Sequence, residues 1–334
     1  MNIGFDKRLE LIYGILYCVN KDLNNELHKG LFIEEMPKYC NEFYEMYKKG
    51  ISDEFKKYII NYGMSGSWEI PAVIALSLDE NYNIIENEYL NLYVKKNMPN
   101  YNKEELEKNL KEFVMKSNYE KFYNNHNLFY SNIVNEYKKS MNEFNVFDKN
   151  VIENFYGYKI GNMEIKLYNF TTGSCGILVD KNIYYIQRVD NSGKDENNFK
   201  FKCKINNMFH EFSHPYIAPL VEKYFSDYDF TALYQNVLDN GLPTNVYKNI
   251  KPPYEILNEY LVRSIALYLE NKYNDKESIE KTINKEKANG FIYVEDISNK
   301  FNNKDKYISF DEFFKEEIVP LCIELNDKLK AKKM

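Results

Sequence analysis

Histidine is scarce in this chain, with four in 334 residues, so two of them close together need an explanation. Cysteine is scarce as well. The five thiols, Cys18, Cys40, Cys175, Cys203 and Cys322, are odd in number and widely spaced, with no CxxC pair. That excludes a zinc knuckle and a disulfide framework, and it suits a reducing compartment. Positive charge is not in excess. With a net charge of -6 and a pI near 5.5, nucleic acid and anionic membrane surfaces are not expected partners. No run approaches the roughly 18 apolar residues of a membrane span. The apolar stretch Leu11 to Val19 follows Asp6 and Glu10, where a signal peptide needs positive charge, and no small-residue cleavage site succeeds it. It reads as the amphipathic first helix of a cytoplasmic protein.

What is present suffices for a sizeable core: 44% hydrophobic and 28% charged residues, in a length that suits one large domain or two ordinary ones. Residues 1–150 read as helix after helix. Apolar residues recur three and four apart in Phe43, Tyr44, Met46, Tyr47 and in Leu106, Leu110, Phe113, Val114, and Ser52 and Asn102 stand where N-caps belong. The stretch "NYGMSGSWEIPAV", residues 61 to 73, holds the only tryptophan, Trp68, and reads as a loop. From about residue 157 to 189, β-branched and aromatic residues alternate with turn signals at Gly161-Asn162, Gly173-Ser174 and Asp180-Lys181-Asn182. This predicts three or four short antiparallel strands. Helical periodicity resumes near Lys200. The expected architecture is α+β and mainly helical, with a helical N-terminal region over 1–150. A second region over 151–334 carries the small antiparallel sheet and the helices that follow it.

Two of the four histidines fall in "MFHEFSHPYIAPL", residues 208 to 220. On a helix, expected over about 200–214, His210 and His214 share one face and can direct their imidazoles to a single zinc ion. Glu211 is one step around the helix. It is poorly placed as a third ligand and well placed to take a proton from a water beside the ion. An HExxH pattern arises by chance in roughly half a per cent of chains of this length and composition. The alternative is a pair of core histidines satisfied by hydrogen bonds. Pro215 and Pro219 predict that the helix ends or kinks near His214 and restarts near Pro219.

A catalytic zinc takes three protein ligands and keeps an open position. His28 and His126 lie in polar sequence and read as solvated surface residues. No third histidine follows the motif. The better candidate is in "PPYEILNEYLVRSIALYLE", residues 252 to 270, a largely buried helix expected over about 253–271. Glu259 lies there among small and apolar groups, and a buried carboxylate needs a cation. Zinc can supply that charge, or Arg263 one turn on, or both, with Arg263 orienting one oxygen while the other meets the metal. Glu255, a turn earlier, competes as ligand, and a purely structural Glu259–Arg263 pair is a third reading.

The pairing of "HEFSHPYIAPLVEKY" with "NEYLVRSIALYL" resembles a bacterial family of gluzincin-like metallopeptidases, whose members share an HEFxH helix, a following Pro-Leu and a later NExxVR helix. The start "DKRLELIYGIL" is similar to the start of that family's domain. The resemblance implies a zincin-like core, one zinc per chain on His210, His214 and Glu259, and Glu211 as general base. It implies no particular substrate, and many members are exported, whereas this chain reads as cytoplasmic. The expected function is a zinc-dependent hydrolase, a metallopeptidase acting on peptide or protein substrates. Two alternatives stand beside it: a non-catalytic binding or structural protein with a structural metal or none, and a zinc hydrolase of non-peptide substrates. A strand such as "MEIKLYNF" is the edge along which an extended peptide would lie.

Overall fold

The computed structural model describes residues 2–24, 36–62, 69–98, 100–142, 150–170, 173–190, 201, 204–240, 247, 250–272 and 276–332. The chain forms two compact units. One comprises Met1–Asn145 with Gly161–Cys203, the other Val146–Ile160 with Lys204–Met334. The sheet, which the sequence suggests grouping with the HEFSH helix, clusters instead with the N-terminal helices.

The first unit opens with strand β1 (Asn2–Phe5) and helix α1 (Lys7–Asp22). It continues through α2 (Pro37–Gly50), α3 (Asp53–Tyr62), α4 (Glu69–Leu76), α5 (Glu88–Asn97), α6 (Lys103–Ser117), α7 (Tyr119–Asn125) and α8 (Asn127–Asn142). The expected caps are in place: Ser52 accepts from Phe55 N at 3.1 Å, and Asn102 from Glu105 N at 3.0 Å. Helix α1 is not amphipathic, because every residue from Leu9 to Asn20 is buried. That burial includes Glu10, fully inaccessible, which accepts from Tyr39 Oη at 2.7 Å and from Asn169 N at 2.9 Å and Nδ2 at 3.1 Å. Of the loop expected over 61–73, the two ends are helical, in α3 and α4, and its centre with Trp68 lies outside the described residues.

Strands β2 (Asn162–Tyr168), β3 (Ser174–Val179) and β4 (Asn182–Arg188) complete a four-stranded sheet of order β1-β2-β4-β3. It is mixed rather than antiparallel: β1 and β4 both run parallel to β2, and only the β3–β4 hairpin is antiparallel. Two placements produce this: β4 lies between β2 and β3, and β1, four residues too short to show a period, takes the far side of β2. Both sides of β2 are therefore hydrogen-bonded, so "MEIKLYNF" is an interior strand and cannot receive a peptide along an edge.

The second unit begins with α9 (Asn150–Tyr156), whose Tyr156 ring stacks on Tyr216 at 4.1 Å and 8°. Then come α10 (Ile205–Phe225), α11 (Thr231–Asn240), a 3-10 turn Pro253–Glu255, α12 (Ile256–Glu270), α13 (Lys276–Ala288), α14 (Val294–Lys300), α15 (Phe310–Phe313) and α16 (Val319–Lys332). Helices α10 and α12 pack along one another, and α14 lies on α12. Contrary to expectation, α10 runs unbroken through Pro215 and Pro219. An interior proline costs about 3 kcal/mol, whereas each large apolar side chain buried contributes about 1.5–3 kcal/mol. Phe212, Tyr216, Ile217, Leu220 and Val221 are all buried, so packing prevails. Among the described residues no helix is long and apolar enough to cross a membrane.

Candidate metal centre

The continuity of α10 keeps His210 and His214 one turn apart on one face. Their Nε2 atoms lie 3.1 Å apart, with the rings inclined at 78°. Helix α12 brings Glu259 against both: Oε2 is 3.8 Å from His210 Nε2, and Oε1 is 3.8 Å from His214 Nε2. Glu211 Oε2 stands 4.0 Å from His214 Nε2. Ligand atoms of His210, Glu211 and His214 all fall within 4.8 Å of one another, so these three alone could hold an ion. Glu259 faces both imidazoles at the shorter distance, which favours it over Glu211 as the third donor. The four side chains keep 13% to 20% of their surface open, so the site is sheltered yet reachable from solvent.

The donor set fits zinc. Two nitrogens bonded at 2.0–2.1 Å to one tetrahedral ion lie about 3.3 Å apart, close to the separation of the two imidazoles. The same separation suits an N–H···N hydrogen bond between the rings. What distinguishes the nitrogens is the second atom of each ring. His214 Nδ1 is 3.3 Å from Asn258 Oδ1, and a carbonyl oxygen only accepts. In that contact Nδ1 of His214 is the donor, which directs Nε2 to the site as the nitrogen that a metal would take.

The charges agree with that chemistry. Burial drives the His210 imidazole well below its ordinary 6.5, against the pull of Glu259, which leaves it neutral. Burial would raise the Glu259 carboxyl, but nearby positive charge, Arg263 first, holds it at about 2. A neutral imidazole at His210 and an ionised carboxylate at Glu259 are the protonation states in which such groups bind metal. Arg263 donates to Glu259 Oε2 at 3.0 Å and to the Tyr247 hydroxyl at 2.8 Å through one nitrogen, and to Glu286 Oε2 at 2.6 Å through the other. Its guanidinium lies over the Phe291 ring, 4.3 Å from the centroid.

The structure thus brings together His210, Glu211, His214, Glu259 and Arg263 within the second unit. Glu255 lies in the 3-10 turn before α12, and the carboxylate between the imidazoles is that of Glu259. His28 lies outside the described residues. His126 is not a solvated surface residue: Nε2 pairs with Glu42 at 3.0 Å, and the ring packs on Phe122 and Tyr39. Reasoning from sequence overlooked Asn258, Tyr247 and Glu286. Asn258 stands beside Glu259 in the same motif and was open to discovery there. Tyr247 and Glu286 come from other segments, and no local signal marks them.

A family model described as a domain of unknown function (DUF4932) matches residues 61–320. No curated protein and no solved structure matches the chain.

Proposed function

The chain belongs to the DUF4932 family, whose description states no activity, and from the chemistry of its side chains we propose that it is a zinc-dependent hydrolase, a gluzincin-like metallopeptidase. The observation that carries the reading is the HExxH imidazole pair, with His210 held neutral by burial, faced at 3.8 Å by the Glu259 carboxylate from a second helix. His210, His214 and Glu259 would hold one zinc per chain. Zinc supplies there a Lewis acid that acidifies water and polarises a carbonyl. Glu211, on the same side as the imidazoles, accepts the proton of the attacking water and returns it to the leaving amine. Asn258 keeps the His214 proton on Nδ1, and Arg263 holds one oxygen of Glu259. The zincin-like core, the cytoplasmic setting and peptide or protein substrates belong to this proposal. The thiols Cys18, Cys40, Cys175 and Cys322, all buried and none in a disulfide, accord with a reducing compartment.

A second reading has the 3.1 Å imidazole contact as a hydrogen bond that fastens a non-catalytic helix pair. One experiment separates them: zinc content of the purified chain, with peptide hydrolysis, for wild type, Glu211→Gln and Glu259→Gln. The proposal expects about one zinc per chain, retained in the first variant with hydrolysis lost, and depleted in the second. A wild type that takes up no zinc when zinc is offered would sink it.

A further inference from the structure

Arg263 is shared between two carboxylates, and only one of them faces the imidazoles. The other, Glu286, is near the C-terminal end of α13 and only 6% exposed. Among the described residues its carboxylate bonds to Arg263 alone, at 2.6 Å, the shortest of the three Arg263 contacts. The same chain segment lays Phe291 over the guanidinium, and Phe291 N donates to the Glu286 carbonyl at 3.0 Å. One turn of backbone therefore fixes both the edge and the face of Arg263. A guanidinium is a rigid planar fork, so seating one nitrogen aims the other. Here it is aimed at Glu259 Oε2, and Oε1, the oxygen nearer His214, accepts no hydrogen bond from any described residue.

Charge points the same way. Glu259, Glu286 and Arg263 together carry one net negative formal charge beside the imidazole pair. With Glu286 neutralised, the net charge rises to zero, and the guanidinium charge beside the place where a dication would bind is balanced by Glu259 alone. In a partly desolvated site such a charge acts strongly.

We infer that Glu286 is a positioning residue of the metal centre: through Arg263, and without touching the ion, it leaves Glu259 Oε1 unclaimed and offsets the guanidinium charge. The inference rests on the metal reading above. It is tested on the full chain by measuring zinc affinity in competition with a chromophoric chelator, for wild type, Glu286→Gln, Glu286→Asp and Glu270→Gln. Outer groups of this kind change metal affinity by about 10–100-fold, and Glu286→Gln is expected to weaken binding in that range. Glu286→Asp recovers part of the loss. Glu270 is another buried carboxylate of α12, held by Asn206 at 2.7 Å, and its Gln variant keeps wild-type affinity. A merely structural Glu286 would lower the melting temperature and leave affinity alone. If Glu286→Gln does not fold, Arg263→Lys serves, since an ammonium cannot bridge the two carboxylates with a fixed fork; unchanged affinity there overturns the inference. Equal, tight binding by wild type and Glu286→Gln overturns the inference alone. No zinc binding by the wild type overturns the metal reading and the inference with it.

Discussion

Glu10 offers a test that needs neither metal nor substrate. It is fully buried in α1, and its three hydrogen-bond donors, from Tyr39 and Asn169, are all neutral. Burial pushes its pKa from 4.5 up to about 7, against those hydrogen bonds. Because the folded value lies above the unfolded one, the native state holds the proton more tightly. Stability is therefore unaffected below about pH 4.5, falls as pH rises from there, and has lost its full amount above about pH 7. Each pKa unit corresponds to 1.36 kcal/mol, so the loss is about 3 kcal/mol, most of it between pH 5 and 8. Glu10→Gln removes the titration. The new amide has an acceptor at hand, since Asn169 Oδ1 is buried without a hydrogen-bond partner and a flipped Asn169 amide can receive it. Urea denaturation of wild type and variant at pH 5 and pH 8 should show the wild type losing roughly 2–3 kcal/mol more than the variant over that interval. Equal losses would show that Glu10 ionises in the native state as easily as in the unfolded chain, and would refute the reasoning.

Two further substitutions probe the second unit. Asn258→Ala frees the His214 tautomer and is expected to weaken zinc binding by about tenfold or more with the fold retained, as read by chelator competition and circular dichroism. Gly290 has φ +89° and ends the turn after α13; an added Cβ would sit 2.8 Å from Val237 Cα. Gly290→Ala should lower stability by roughly 1–3 kcal/mol in thermal unfolding, and an unchanged melting temperature would contradict the close approach described here.

Some of this was legible in the sequence because the chemistry is local. His210, Glu211 and His214 lie about one helical turn apart, and so do Glu259 and Arg263, so residue type and spacing announce them. The caps at Ser52 and Asn102 are legible for the same reason. The course of α10 was not, because proline is a local signal and the burial of Phe212 through Val221 that overrides it is not. The burial of α1 on all faces hides behind Glu10 and Asn20, polar residues that read as a solvated stripe until their surroundings are known. The sheet order depends on β1, too short for a period, and on β4 pairing with β2 rather than with β3 alone, while Glu286 sits in a lysine- and glutamate-rich helix that reads as solvent-exposed.

The pairing of β1 with β2 sets a timetable for the chain. Asn2 and Glu164 are neighbours across that pair and 162 residues apart in sequence. At ribosomal speeds of about 5–20 residues per second, β2 is made on the order of ten to thirty seconds after β1. In the interval all eight helices α1 to α8 are synthesised, and so is α9, which belongs to the other unit. Contacts that span so much chain form slowly once their partners exist. The first unit, first to be translated, therefore stays incomplete until β4 has been synthesised. A nascent chain stopped short of Arg188 would carry its helices without a finished sheet to organise them.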